Sequence, residues 1–332
     1  MTPAVRGGKM EKDLKTNDFF SDNERFADII NGIGCNGLQV VKGKELMELD
    51  TRTGIGRVKG FGRKWKGRKN LYRDLLRKAP FGVNFAIIGI ENQEEIDYAL
   101  PLRTMIYDAG AYEKQMVKIR KAIRQKPKGL SKGEYLYGFQ KTSKLYPTIT
   151  FILYYGEKEW DGSKDIYGML DFTNIPESLR DKVSNYQIQL VEVRKLKDTS
   201  IFKTDVRQVF DYIRYSNDKQ KLEKLMENED YRYLEEEACD MITAYIGANK
   251  LKTRKEKYME NNKVDMCKGL RDWLEEKKAE GQNEGRIEGQ NEERKRMNQL
   301  ILMLSEQARM EDLVRAAKDK EYQEKLFEEL GL

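Results

Sequence analysis

Phe85-Ala86-Ile87-Ile88-Gly89-Ile90 is an unbroken apolar run that stops abruptly at Glu91-Asn92-Gln93. A run that short, bounded by turn residues, predicts a buried strand. Pro80-Phe81-Gly82 just before it is turn chemistry, so residues 71–78 would run back as a hairpin partner. Side chains alternate along a strand, which puts Glu91 and Gln93 on one face where the sheet opens to solvent. The hairpin partner would bring Asp74 beside them. Two carboxylates and an amide meeting at one sheet edge are oxygen donors of the kind magnesium takes, with water and phosphate filling the other positions.

The elements around this hairpin predict a mixed α/β sheet. Ser21-Asp22-Asn23-Glu24 reads as a capping box, and Phe26, Ile29, Ile30 and Ile33 follow at helical spacing, predicting a first helix over 22–33. A short strand at 38–41 and a helical turn at 44–49 come next. Pro101 suits the first turn of a long helix reaching to about 124. Strands are expected at 148–155 and 186–193. Beyond residue 200 the pattern is helical: Val206, Val209, Phe210 and Ile213 share one face, as do Ala238, Ile242, Tyr245 and Ile246. Glu280-Gly281, Glu284-Gly285 and Glu288-Gly289 repeat every four residues. Each mid-helix glycine costs about 1 kcal/mol relative to alanine, so this stretch is a self-association seam, a hinge or a solvated linker helix. Leucines near 300, 313 and 326 suggest a terminal helical cap. The expected division is a disordered tail over 1–20, an α/β domain over 21–200 and an all-helical C-terminal region over 201–332.

The chain contains no histidine, which removes Ser-His-Asp and Cys-His catalysis, His-ligated zinc and the usual near-neutral proton shuttle together. Hydrolysis would have to run on carboxylates, lysines, amides or an oxygen-held metal. Cys35, Cys239 and Cys267 are scattered, unlike a disulfide framework or a zinc site. No apolar run is long enough for a membrane span and the first fifteen residues lack a secretory pattern, so the expected location is the cytoplasm, with no membrane partner.

Charge is unevenly placed. The net charge is only +6, yet every charged residue over 51–73 is basic. Arg63, Lys64, Lys66, Arg68, Lys69 and Arg73 lie there among glycines, Phe61 and Trp65. Dense positive charge on a flexible backbone suits a phosphate chain, since neutralised phosphates release counterions; the plainer reading is a soluble basic loop. Tyr135, Tyr137, Tyr146, Tyr154 and Tyr155 could stack on bases, but tyrosines in and beside strands are more often packing residues, so they stay outside the predicted site.

Arg73-Asp74-Leu75-Leu76, Ile90-Glu91-Asn92-Gln93, Pro101-Leu102-Arg103 with Tyr107-Asp108, Phe26-Ala27-Asp28-Ile29-Ile30-Asn31 and the segment from Tyr154 to Gly162 together resemble the recombination-promoting nuclease (Rpn) family, transposase-like members of the PD-(D/E)XK nuclease superfamily. The resemblance covers residues 20–200 well and the Glu-Gly-rich tail loosely. It implies a restriction-endonuclease-like mixed sheet core with flanking helices. It also implies a metal held by Asp74 and Glu91, and a water-positioning residue at Gln93. Lysine is usual at that last position in the superfamily; an amide can orient water but supplies no positive charge, which leaves more work to the metal. The fold further suggests Asp28 as an auxiliary carboxylate, with Glu24 as rival, and a site-facing role for Arg103 and Tyr107. The function implied is a DNA endonuclease using Mg2+, or Ca2+ or Mn2+, that promotes recombination. Arg103 would join the basic segment on DNA, and a homodimer through the C-terminal helices would supply two sites. The alternative is a catalytically weak or inactive DNA-binding or assembly protein of mobile-element or defence origin.

Overall fold

The computed structural model describes residues 3–53, 71–72, 74–125, 129–248, 251 and 253–332. The chain divides into two compact units, residues 1–268 and 269–332.

The first unit is built on a five-stranded mixed sheet. Its strands are β1 (Met47–Glu48), β4 (Leu75–Phe81), β5 (Asn84–Gln93), β6 (Thr148–Tyr154) and β7 (Gln189–Glu192), adjacent in that order. Two shorter strands, β2 (Arg52–Thr53) and β3 (Leu71–Tyr72), pair separately. β4 and β5 form the expected antiparallel hairpin, with Leu75 opposite Ile90 and Phe81 opposite Asn84. Gly82 turns it at φ +62°, a left-handed value open to glycine. β5, β6 and β7 then run parallel. The β5-to-β6 connection contains the long helix α3 (Leu100–Gln125), as a parallel crossover requires.

Helices cover both faces. α3 lies over the face that carries Ile152 and Tyr154, where Leu100, Trp160 and Ile188 join one apolar cluster. The other face meets α1 (Pro3–Ser21), α2 (Asn23–Ile29) and α6 (Val206–Tyr215). There Phe210 contacts the rings of Phe20, Tyr155 and Phe202. Further α-helices of this unit are α4 (Lys132–Tyr137), α5 (Glu177–Arg180), α7 (Lys219–Met226) and α8 (Glu236–Ile246).

Several expectations are corrected. Residues 3–21 are not a disordered tail: α1 buries Phe19 and Phe20, and the Thr16 hydroxyl lies 3.0 Å from that of Tyr245 on α8. The division at residue 200 falls in the wrong place, because α6 and α8 complete the core of the first unit instead of starting a second. Asp22, not Ser21, caps α2, accepting from the N–H groups of Glu24 and Arg25. Residues 38–41 are no strand. Their backbone is bonded by the buried Asn31 side chain, whose Oδ1 accepts from Val40 and Val41 and whose Nδ2 donates to the Val41 carbonyl. Strands also recur after residue 200: β8 (Tyr233–Leu234), β9 (Met259–Glu260) and β10 (Lys263–Asp265) form a small antiparallel sheet. Its β9–β10 turn holds Asn261 and Asn262 at positive φ.

The second unit holds most of the helix Met266–Glu306, which continues unbroken through the Glu-Gly repeats, and the helices Met310–Ala316 and Lys320–Leu330. Leu300, Leu304, Ala316, Leu326 and Phe327 form its buried cluster, the expected terminal cap. Among the described residues no helix is long and apolar enough to cross a membrane.

Candidate active site

The site is set by what happens at the open end of the β4–β5 ladder. Odd-numbered residues of β5 direct their backbone toward β6: Ile87 N–H donates to the Pro147 carbonyl and the Gln93 carbonyl accepts from Tyr155. Even-numbered ones therefore face β4. On that side the Asp74 side chain takes the Asn92 N–H, its Oδ2 accepting at 2.8 Å. A strand-end carboxylate is thus locked to the backbone between Glu91 and Gln93.

Alternation places Glu91 and half-buried Gln93 on the α3 face, and Glu91 is 3% exposed. From α3, Arg103 reaches back with Nη2 3.9 Å from Glu91 Oε2, while Nη1 holds Asp97 at 2.6 Å. The Arg103 guanidinium also stands 6.0 Å from the ring centroid of buried Tyr107, one helical turn on. Asn92 points to the opposite face. Its Nδ2 donates to Asn17 Oδ1 on α1 at 3.2 Å, and its Oδ1 accepts from the Tyr155 hydroxyl at 3.3 Å.

Electrostatics single out Asp74. Burial pushes its carboxyl above the usual range, and the nearby Asp13 carboxylate pushes the same way. The Asn92 N–H, Arg103 and Asn17 oppose the shift without cancelling it. Raised carboxyls of this kind cluster at functional sites, although structural networks also produce them.

Asp28 does not belong here. It is buried between α2 and the segment leading into α6, and its oxygens accept from Lys203 N, Thr204 N and Thr204 Oγ1 at 2.6–2.9 Å. Its acceptor capacity is spent on anchoring that turn, which corrects the auxiliary-carboxylate assignment. Glu24, the rival, accepts from the Gly43 N–H. The first-helix carboxylate whose charge reaches Asp74 is Asp13, and its neighbour on the site is Asn17. Both lie in the stretch read as tail, where the only signal was the apolar pair Phe19-Phe20 closing a polar helix. Arg63, Lys64, Lys66, Arg68, Lys69 and Arg73 lie outside the described residues.

Past the ends of β5 and β6 opens a cavity of about 530 Å3, lined among others by Lys12, Glu94, Tyr98, Tyr155, Asp161 and Arg194. Gly156 lets the chain turn there, since a Cβ would collide with the Tyr154 ring and the Glu94 carbonyl. Arg194 donates to the carbonyls of Tyr155 and Ile213 at 2.9 and 2.6 Å, a role that sequence reasoning missed.

The donor set suits a hard cation in chemistry: all-oxygen side chains, no histidine, and an Asp74 charge that burial and Asp13 disfavour and a cation would relieve. Among the described residues no group of three or more acidic or cysteine side chains is placed to hold an ion. Scans of protein-family models, curated proteins and solved structures each return no match to this chain.

Proposed function

We propose that this chain is a metal-dependent DNA endonuclease of the recombination-promoting type, with Asp74, Glu91 and Gln93 as its centre. The observation that carries the reading is the position of Asp74, bonded to the backbone between Glu91 and Gln93 and within the field of the same arginine that approaches Glu91. The element order supports a restriction-endonuclease-like core: helix, short strand, antiparallel hairpin, crossover helix, parallel strand.

Asp74 and Glu91 would hold a divalent cation such as Mg2+, an arrangement that uses two carboxylates and leaves room for water and a phosphate oxygen. When bound, such an ion lowers the pKa of water and stabilises charge on phosphorus. The chain's own residues do the rest. Gln93 hydrogen-bonds and orients the attacking water, Arg103 stands ready for a phosphate oxygen, and Asn92 holds Asp74 in place through its N–H. Cutting both strands takes two such sites, which a second copy joined through the C-terminal helices would provide.

The Arg103–Glu91 approach also favours a second reading, in which a built-in cation takes the place of a metal and the protein binds DNA without cutting it. Plasmid incubated with Mg2+, Mn2+ or Ca2+ separates the two. Nicking by the wild-type chain that disappears in Asp74→Ala and Glu91→Ala supports the enzyme. Equal cutting by all three, or none by any with every metal, removes it.

A further inference from the structure

The long helix α3 carries a second concentration of positive charge. Every charged residue between Glu113 and Glu134 is basic. Lys118, Arg120, Lys121 and Arg124 are exposed and, at 100° per residue, spread over about 160° of the outer helix surface. Among the described residues none of these four has a carboxylate within ion-pairing distance.

The short helix α4 packs against this face. Ser131 caps it by accepting from Glu134 N, and Gly138 closes it in the left-handed region at φ +65°. Arg120 Nε donates to the Tyr137 carbonyl at 3.3 Å, and a Cβ at Gly138 would strike the Arg120 side chain at 2.8 Å. What α4 does not do is bury its large residues. Tyr135, Leu136 and Tyr137 are 65, 69 and 70% exposed. Tyr154 and Tyr155, by contrast, are core residues at 3 and 1%. The packing role expected of strand-side tyrosines therefore fits those two and fails for Tyr135 and Tyr137. The acid on α4 is engaged by its own loop: Glu134 accepts from the N–H groups of Ser131 and Lys141, which hold its carboxyl below the usual range.

Two exposed aromatic rings standing on a capped helix, rimmed by cations, fit a polyanion that carries flat apolar faces. We infer that α4 and the exposed basic face of α3 form a docking ridge for single-stranded nucleic acid, with Tyr135 and Tyr137 stacking on bases and the α3 cations on phosphates. Duplex DNA offers its phosphates but keeps its base faces stacked, so the two rings discriminate for the open strand. This inference rests on the nucleic-acid part of the reading above and not on the cleavage chemistry. Arg120 lies about 25 Å beyond Arg103 along the helix axis, so substitutions on the ridge leave the Asp74–Glu91 site alone.

The test uses the full chain in chelator, so that no cutting occurs, with a fluorescent oligothymidylate of about twenty nucleotides and a duplex of equal length. Stacking is worth about 1–3 kcal/mol per base, so Tyr135→Ala/Tyr137→Ala should weaken single-strand binding at least about tenfold and leave duplex binding nearly unchanged. Lys118→Ala/Lys121→Ala/Arg124→Ala should flatten the salt dependence of single-strand affinity by about two in log–log slope. These side chains are exposed, and unchanged circular dichroism would verify folding. Wild-type affinity in the tyrosine variant, or equal loss on duplex and single strand, overturns the inference. Retained oligonucleotide affinity with lost self-association also overturns it and gives the ridge to a second copy of the chain. Plasmid nicking by the same proteins is scored separately: its absence in every variant sinks the enzyme reading and leaves the binding result standing.

Discussion

Asp28 is buried and Asp74 half-buried, and their hydrogen-bond partners differ. Asp28 is surrounded by donors: two backbone N–H groups and a hydroxyl tie it to Lys203 and Thr204. A hydrogen bond to a carboxylate contributes about 1.5–3 kcal/mol, so Asp28→Ala should lower unfolding free energy by about 3 kcal/mol or more, read from urea denaturation. Asp74 meets a donor and two partly compensating neighbours, but burial and Asp13 prevail and its carboxyl rises. A carboxyl whose folded pKa exceeds its unfolded one holds its proton more tightly in the folded state. Its effect on stability is nil below the unfolded value and a penalty above the folded value, growing as pH climbs through the window between them. Asp74→Asn should therefore raise the thermal midpoint at pH 7–8, with the gain shrinking to nothing as the pH falls below the ordinary carboxylate range. A midpoint that drops at neutral pH would make Asp74 a structural carboxylate like Asp28. The sequence could point to Asp74, because a buried strand ending in polar residues is a local pattern. It could not tell Asp13 from Asp28, because which helix face meets the sheet end depends on packing between distant segments.

At the level of elements, the legible parts were those whose apolar pattern is continuous and punctuated. The β4–β5 hairpin, α3 behind Pro101 and β6 each follow from a run bounded by proline or glycine. The illegible parts depend on partners far along the chain. Residues 38–41 read as a strand from their apolar residue types, yet their backbone groups bond to one asparagine side chain where a strand would have a neighbouring strand. β8 to β10 are two or three residues long, too short for periodicity to register. α1 is polar for most of its length, with Gly7 and Gly8 inside it, and it is held by its tertiary contacts: Phe19 and Phe20 in the core, Thr16 on Tyr245, Asn17 on Asn92. Removing a fully buried phenylalanine costs about 3–5 kcal/mol. Phe20→Ala should lose that much in chemical denaturation, where a disordered tail would show no change.

For the molecule as a whole, the boundary near residue 268 separates a unit with an extensive core from one whose buried cluster is small. The long helix Met266–Glu306 carries Gly281, Gly285 and Gly289 at four-residue spacing, on one face, and among the described residues nothing beyond the helix's own neighbouring turns comes within 4 Å of a Cβ built at any of them. Within one copy, glycine there gains no close approach and forfeits helix propensity. Alanine at the three positions should stabilise the helix by about 1 kcal/mol per site. The measurement is amide exchange over residues 275–295 of the full chain, which should slow. Sedimentation of the same variant addresses self-association. Glycines spaced in this way let two helices approach closely if a second copy packs on them, and three methyl groups would then force the pair apart. Slower exchange with an unchanged sedimentation coefficient is the expected result, because among the described residues nothing packs on that face. It would also direct any dimer contact of these helices to their apolar residues, such as Leu302 and Val314, which are 62 and 53% exposed. A fall in the sedimentation coefficient would instead put the second copy on the glycine face, and the spacing would then be a packing requirement.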